Sequence, residues 1–451
     1  MPKAAIVGGG IAGLSAAFEF RNAGWDVDVY ETAGRWGGKI VTSAVGDEMV
    51  DSGPDAVLMR APAGIELCRE LGLDSEFTHP IAPKPAYIHW NGNLHVLPAG
   101  TVLGVPVDLA VLDQSGLFSD EGRAQAAQDL ALPPTTIEGD ISVGELCRTR
   151  LGDELTDRLI DPLIGGINAS DIDHLSLRAA APLLAKAIDD HGSLIKGMAA
   201  LYPNIGATLG ATRDGRDGAA SAKTPVFFSL PGGVARIIQR LVDELPAEHL
   251  HLNHPVNHLS ELPADVDGVV IATPAPVTAR ILGNDPINQL VGSISYAGVS
   301  QATVAIPGQE PLDASGILFP RSGGTVLTAS TWLSSKWPQY QGGDRALIRL
   351  TSGRFGDNRS AEMDDQTLVA TLLAELDGAV PLVAEPTAVR IQRWPMALPQ
   401  YEPGHLDLVS EIRSSLTANS PRIQVAGASY DGIGIPACID SGRTAARELM
   451  A

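Results

Sequence analysis

A chain of 451 residues exceeds what one hydrophobic core usually supports, and 44% hydrophobic with 19% charged residues describes a globular protein of two or more lobes rather than a disordered one. Asp and Glu number 53 against 32 Lys and Arg, a formal charge of -21 that repels phosphate backbones and anionic lipid and argues against a nucleic-acid partner. Cys68, Cys147 and Cys438 stand far apart with no CxxC spacing, so neither a disulfide framework nor a thiolate metal site is expected, and a reducing cytoplasm fits.

The chain begins unlike a signal peptide, and no run approaches the ~20 apolar residues of a membrane span, which leaves only peripheral membrane contact open. The first predicted element is a buried strand, Ala4 to Val7. Gly8, Gly10 and Gly13, with Gly9, Ile11 and Ala12 between them, then spell G-x-G-x-x-G, and Leu14, Ala17 and Phe18 mark one face of a helix ending near Gly24. Asp26 to Tyr30 alternate as a second strand that ends in Glu31. The first glycine allows a tight turn, the second lets backbone approach a pyrophosphate, and the third lets helix pack against strand, while the helix start offers unpaired N–H groups to an anion. Glu31 stands where a carboxylate can accept ribose hydroxyls, which argues against a 2′-phosphate. The unit predicts dinucleotide binding without choosing between NAD and FAD.

The stretch TAGRWGGKI, 32 to 40, resembles the extended fingerprint of the flavin-containing amine oxidase and protoporphyrinogen oxidase superfamily. The resemblance implies FAD, with Thr32 joining the cofactor set, Arg35 and Lys39 facing the diphosphate, and Gly37 and Gly38 passing close to the flavin.

Residues 106 to 200 read as mainly helical. Ser142 and Glu145 form a capping box, and Leu146, Leu151, Leu155, Leu159 and Ile160 continue an apolar face expected to stop at Pro162 and Gly165-Gly166. Asp189, Asp190 and His191 read as polar capping at a helix end. The Gly/Ala/Ser-rich stretch 206 to 222 reads as a surface loop. Val234, Ile237, Ile238, Leu241, Val242 and Leu245 space as an amphipathic helix after Pro231 and Gly232. His249, His251, His254 and His258 read as an exposed strand and turn rather than a metal cluster, since alternation keeps them from converging. A buried strand ending in a proline-rich turn is expected over 267 to 276, strands and one helix from Asp365 to Leu376 over 286 to 393, and a strand at 422 to 429. The turn YDGIGIP and a helix from Ala437 to Leu449 complete the pattern.

The predicted fold class is α/β: an FAD-binding Rossmann-like fold of the two-dinucleotide-binding-domain type, with an α+β substrate domain and a helical insert. Residues 1 to 84, 226 to 285 and 394 to 451 are assigned to the discontinuous FAD domain, and 85 to 105 with 286 to 393 to the substrate domain. The helical insert takes 106 to 200, and a flexible loop 201 to 225.

DPLIGGINASDIDHLSLRAAAPLL (161 to 184), FFSLPGGVARII, KWPQYQGGDRALIRLTSGR (336 to 354) and RWPMALPQYEPGHL (393 to 406) resemble one branch of that superfamily, the water-soluble coproporphyrinogen III and protoporphyrinogen oxidases of haem biosynthesis. By position, the resemblance implies that Gly8 to Gly13 hold the FAD diphosphate and Glu31 the ribose, and that Gly53, Pro54, Asp55 and Ala56 pass beside the flavin. It implies that Val256 pairs its backbone with adenine, that Trp394 walls the isoalloxazine, and that Ile433, Gly434, Ile435 and Pro436 lie under the pyrimidine end of the ring. Pro436 suits a first helical turn, whose N–H groups can stabilise negative charge there. Ala56 and Ala61 replace polar or cationic residues of many relatives, so Arg60 is put forward in their place.

The implied activity is six-electron oxidation of coproporphyrinogen III to coproporphyrin III, with O2 as acceptor and H2O2 as by-product; protoporphyrinogen IX is the alternative substrate. The cofactor carries the chemistry, so no catalytic side chain and no metal are assigned. Arg60, Arg178, Lys186, Lys196, Lys336 and Arg345 are candidate partners of the propionates, with Ile167 and Asn168 as further substrate contacts. A transient contact with the next haem-pathway enzyme is expected. Two readings compete: a flavin amine oxidase, disfavoured by 5% aromatic residues, and a non-redox prenyl-binding escort protein, which would lack the turn YDGIGIP.

Overall fold

The computed structural model describes residues 1–81, 84–113, 115–203, 225–283 and 287–451, and the loop expected at 201 to 225 lies for the most part outside these described residues. Strand β1 (Lys3–Val7), helix α1 (Ile11–Asn22) and strand β2 (Asp26–Tyr30) follow one another as the sequence predicts. Among the described residues they found a five-stranded parallel sheet in the order Leu250–His251, β2, β1, Gly268–Ile271, Ile423–Val425. Strand Gly268–Ile271 is buried at every position, and β1 is buried everywhere but at Lys3, because helices cover both faces of a parallel sheet. The chain leaves β1 toward β2 on one side and pairs with Gly268–Ile271 on the other, so the carboxyl end of β1 is a topological switch point.

Two helices meet there. The last helix, Ile435–Met450, crosses α1 so closely that a Cβ on Gly442 would lie 2.0 Å from the Ala12 carbonyl. Glycine at 442 is therefore what lets the last helix, two turns in, pass over the start of α1.

A second sheet of seven strands runs in the order Ala388–Pro399, Tyr296–Pro307, Arg345–Ser352, Leu327–Trp332, Gly316–Leu318, Ala86–Trp90, Asn93–Val96, antiparallel except where Gly316–Leu318 meets Ala86–Trp90. Helix Asp365–Asp377 covers one face through Leu368, Leu372 and Leu376, a single stripe at helical spacing. Strand Ala388–Pro399 runs past the expected boundary at 394. This strand bulges between Trp394 and Leu398, opposite Val299 and Ala297 of its partner, which lets pairing continue to Tyr296 and Pro399.

The helical insert forms its own apolar cluster around Leu146, Leu151, Leu159, Leu184 and Met198. Ser142 caps helix Val143–Leu151 by accepting from the Glu145 N–H at 3.0 Å, one half of the expected capping box, while the Glu145 carboxylate makes no return bond to the Ser142 N–H among the described residues. Two expectations are corrected here. The helix already breaks at Gly152, whose φ of +84° suits glycine, and Pro162 does not stop the next one. Thr156–Gly165 widens to a π-helix that carries Pro162, which has no N–H to donate to any turn, inside it. Likewise the proline-rich turn after Ile271 is a helix, Ala275–Leu282, entered through Pro274, and the last helix starts two residues early, at Ile435.

Candidate cofactor and substrate site

The glycines of the opening motif divide their work as the spacing predicts. Gly8 has φ +111°, and a Cβ there would meet the Ala272 carbonyl at 2.7 Å. Gly13 lies against the turn, its Cβ position 1.9 Å from the Gly8 carbonyl. Gly10 faces open space, with nothing within 4 Å of its Cβ position. No side chain caps α1, and the N–H groups of Ile11, Ala12 and Gly13 find no acceptor among the described residues. Such a helix start fits an anion.

Glu31 ends β2 and shapes the turn: its carboxylate accepts from the Gly9 N–H at 2.7 Å and the Ala33 N–H at 2.8 Å. Each oxygen keeps a further lone pair. Thr32 beside it is exposed. Trp36 packs so tightly over Gly9 that a Cβ there would come within 2.4 Å of its ring. Gly37 (φ +103°) and Gly38 (φ +56°) then fold the chain back onto Gly10, and the Gly37 N–H donates to the Gly9 carbonyl at 2.8 Å.

Arg35 donates to the Gly38 carbonyl at 2.8 Å and stands 6.0 Å from the Trp394 ring, whose Nε1 donates to the Ser52 carbonyl at 3.0 Å. Lys39 turns inward, with Nζ 5.5 Å over the Tyr296 ring and no ion pair among the described residues; burial lowers its ammonium to about 8. Tyr296 OH in turn meets Ser429 Oγ at 2.6 Å. Val256 is 8% exposed, yet neither its N–H nor its carbonyl has a partner among the described residues.

At the last helix Gly434 is the uncapped N-cap, Pro436 occupies the first turn, and the N–H groups of Ile435 and Ala437 are unpaired among the described residues. Ile433 packs on the core of the helical insert, and Tyr401 OH donates to the Ala428 carbonyl, so all three lobes meet at this turn. Two bare helix starts, one unpaired buried backbone segment and a glycine opening fit an extended dinucleotide.

Segment Gly53–Ala56 is fixed from below. A Cβ on Gly53 would lie 2.1 Å from the Lys39 carbonyl, and Ala56 packs on the apolar cluster that includes Val45, Val50 and Trp337. Asp55 accepts from Lys336 Nζ and Trp337 Nε1, both at 2.9 Å, with Arg349 at 3.5 Å. Burial alone would raise this carboxyl, but the charges of Lys336 and Arg349 with those hydrogen bonds hold it well below the usual range. Sequence reasoning missed Arg349; its signal is a charge in the middle of the apolar strand ALIRL, which is buried there with its Nη2 on the Asp51 carbonyl.

The candidate cations do not gather. Arg178 is held by Asp189 and the Gly139 carbonyl, Lys186 by Asp190, Arg345 by Glu48, Lys336 by Asp55, and Lys196 by the Leu130 carbonyl. Each has found a nearer partner than a substrate, the expected outcome in so acidic a chain. Arg60 differs: it is exposed and has no partner among the described residues. Ile167 is 60% exposed, whereas Asn168 is buried with Nδ2 donating to the Ile164 carbonyl at 2.8 Å. The histidines lie on the expected turn and strand, but two of them converge where alternation predicted they would not: His249 and His251 both reach Asp28, at 3.2 and 2.8 Å.

The fold and site together define a dinucleotide-dependent oxidoreductase with a separate sheet lobe facing the cofactor edge. The chain belongs to the family described as flavin containing amine oxidoreductase, which matches residues 11–450, and its cofactor is FAD. It is 30% identical to the coproporphyrinogen III oxidase of Bacillus subtilis, over 99% of this chain and 97% of that one. It is 33% identical to the enzyme of the same name from Mycobacterium leprae, over 99% and 98%. Among solved structures it superposes on a candidate protoporphyrinogen oxidase from Exiguobacterium sp. 255-15, with a TM-score of 0.87 and 28% identity over 100% of this chain and 99% of that one. No helix among the described residues is long and apolar enough to cross a membrane.

Proposed function

We propose that the protein oxidises coproporphyrinogen III to coproporphyrin III in the cytoplasm as a step of haem biosynthesis. The carrying observation is likeness at 30 to 33% identity, over nearly the whole chain, to coproporphyrinogen III oxidases of several bacteria. That likeness includes the helical insert and the seven-stranded sheet.

Bound FAD supplies hydride acceptance and passes the electrons to O2, so that three O2 become three H2O2 while the macrocycle loses six hydrogens. The start of α1, with Gly8 to Gly13, would hold the diphosphate, and Glu31 with Thr32 the ribose. Val256 would hold adenine through its backbone. Arg35, Gly37, Gly38, Lys39, Gly53 to Ala56, Trp394 and Ile433 to Pro436 would border the rest of the cofactor. The unpaired N–H groups of Ile435 and Ala437 are placed to balance negative charge without a side chain. Arg60 would take a propionate, because its guanidinium is uncommitted. Lys336, Arg178, Lys186 and Arg345 instead serve the fold through their acids. The aromatic product would then pass to the next enzyme of the pathway by transient contact.

The test is anaerobic mixing of the yellow protein with coproporphyrinogen III, protoporphyrinogen IX and a primary amine in turn. Bleaching by coproporphyrinogen III, followed by porphyrin fluorescence and peroxide on admitting oxygen, is the expected result. Bleaching by the amine alone overturns the proposal, and bleaching by protoporphyrinogen alone moves it to the dicarboxylate.

A further inference from the structure

The junction between helical insert and sheet lobe holds buried charges that the reading above leaves unused. Asp161 lies on the inner side of the π-helix, 8% exposed, and forms no hydrogen bond or close ion pair among the described residues. Its charged neighbours are Arg321, Asp171, Arg354 and Asp157. The Nε atoms of Arg321 and Arg354 are buried there without hydrogen-bond partners, Arg354 Nε standing 3.7 Å from Asp357 Oδ2 while its Nη2 donates to the Thr325 carbonyl at 2.9 Å. An acid and two guanidinium groups thus stand near one another with no hydrogen bond between them among the described residues.

What this cluster supports is the segment 167 to 170. Arg321 Nη2 donates to the Ser170 carbonyl at 3.1 Å and to the Phe355 carbonyl at 3.2 Å, and the Phe355 N–H donates to the Ala169 carbonyl at 2.7 Å. From the other side, Ser170 Oγ donates to Gln400 Oε1 at 2.5 Å, and the adjacent Tyr401 reaches the flavin-side turn at Ala428. Ala169 has φ +47°, a left-handed conformation that an alanine keeps only where its surroundings impose it. At the tip of this braced segment Ile167 stays 60% exposed. A strained backbone, bonded on both flanks, holds one large aliphatic side chain out into solvent.

We propose that Arg321 is a positioning residue that, with Asp161 and Arg354 near it, bridges Ser170 and Phe355 and so sets where Ile167 stands against the porphyrinogen. This rests on the reading that Ile167 faces substrate. The arrangement governs how tightly substrate is held and leaves electron transfer alone, because Arg321 touches neither the opening at Gly10 nor the start of the last helix.

The experiment uses FAD-loaded Arg321→Met, Arg321→Lys, Asp161→Asn and Ile167→Trp proteins in steady-state oxidation of coproporphyrinogen III, with flavin spectra recorded. Arg321→Met is expected to raise KM roughly ten-fold with kcat within about two-fold and an unchanged flavin spectrum. Arg321→Lys, whose ammonium can still reach two carbonyls, recovers most of that loss. Should Arg321→Met fail to accumulate, Arg321→Lys and Asp161→Asn carry the test, each expected to raise KM about three-fold. A wild-type KM in the Arg321 and Asp161 proteins beside a raised KM in Ile167→Trp overturns the proposal and leaves the substrate reading standing. An unchanged KM in Ile167→Trp overturns the substrate reading itself. A fall in kcat with a shifted flavin spectrum in Arg321→Met shows that the residue acts on the cofactor and also overturns the proposal.

Discussion

The switch point of the parallel sheet and the junction of helical insert with sheet lobe are built from opposite materials. At the first, glycines and bare helix starts offer backbone N–H groups, and Gly8, Gly10 and Gly13 each answer a separate steric demand. At the second, and beneath Asp55, the work falls to long side chains from distant parts of the chain, such as Lys336, Arg349 and Arg321. Local backbone suffices where one turn has to offer N–H groups, whereas a junction between lobes has to be held by side chains that reach across it. Damage should therefore be all-or-none in one region and graded in the other.

The sharpest break is Gly13→Val. With a Cβ position 1.9 Å from the Gly8 carbonyl, α1 must leave the sheet, and the purified protein should be colourless and inactive. A yellow Gly13→Val protein would remove the backbone half of the contrast. Asp55→Asn comes next: it strands Lys336 and the buried Arg349, and should lower stability by about 3 kcal/mol in urea unfolding.

Asp51 sharpens the contrast through pH. It is 2% exposed, and burial, with help from Asp55, raises its carboxyl to about 6 against hydrogen bonds from Thr42 and the Val234 N–H. Because the folded value is raised, its favourable contribution is complete below its unfolded value near 3.8 and is lost as pH climbs through about 6. Asp51→Asn, which keeps an acceptor without the charge, should be more stable than wild type by about 2 kcal/mol at pH 8, with no difference at pH 4. Denaturation curves at the two pH values check this.

Arg60→Ala should raise KM for coproporphyrinogen III roughly ten-fold with less effect on protoporphyrinogen IX, in line with one charged contact. Equal loss for both substrates would detach Arg60 from the propionates that differ between them. The smallest effect belongs to Lys186→Ala, which breaks only an exposed pair one helical turn long and should leave KM and kcat unchanged.

Much of the cofactor half was legible. The strand, glycine turn, helix and acid at 4 to 31 lie where spacing puts them, and in the helical insert Ser142 caps its helix as local chemistry requires. The exceptions are instructive. Pro162 reads as a stop, yet a π-helix carries the chain through it, because packing between lobes stabilises a turn that isolated sequence disfavours. The six candidate cations look alike in sequence, and only the fold separates Arg60 from those already paired.

What the sequence alone determined is whatever depends on neighbours within a few residues: the dinucleotide turn, the caps, the sheet-forming runs and the start of the last helix near Pro436. Tertiary structure decided which charges are free and which are buried. Coulombic and hydrogen-bond partners such as Asp55 with Lys336, 281 positions apart, are chosen by how lobes dock, and no periodicity records that choice.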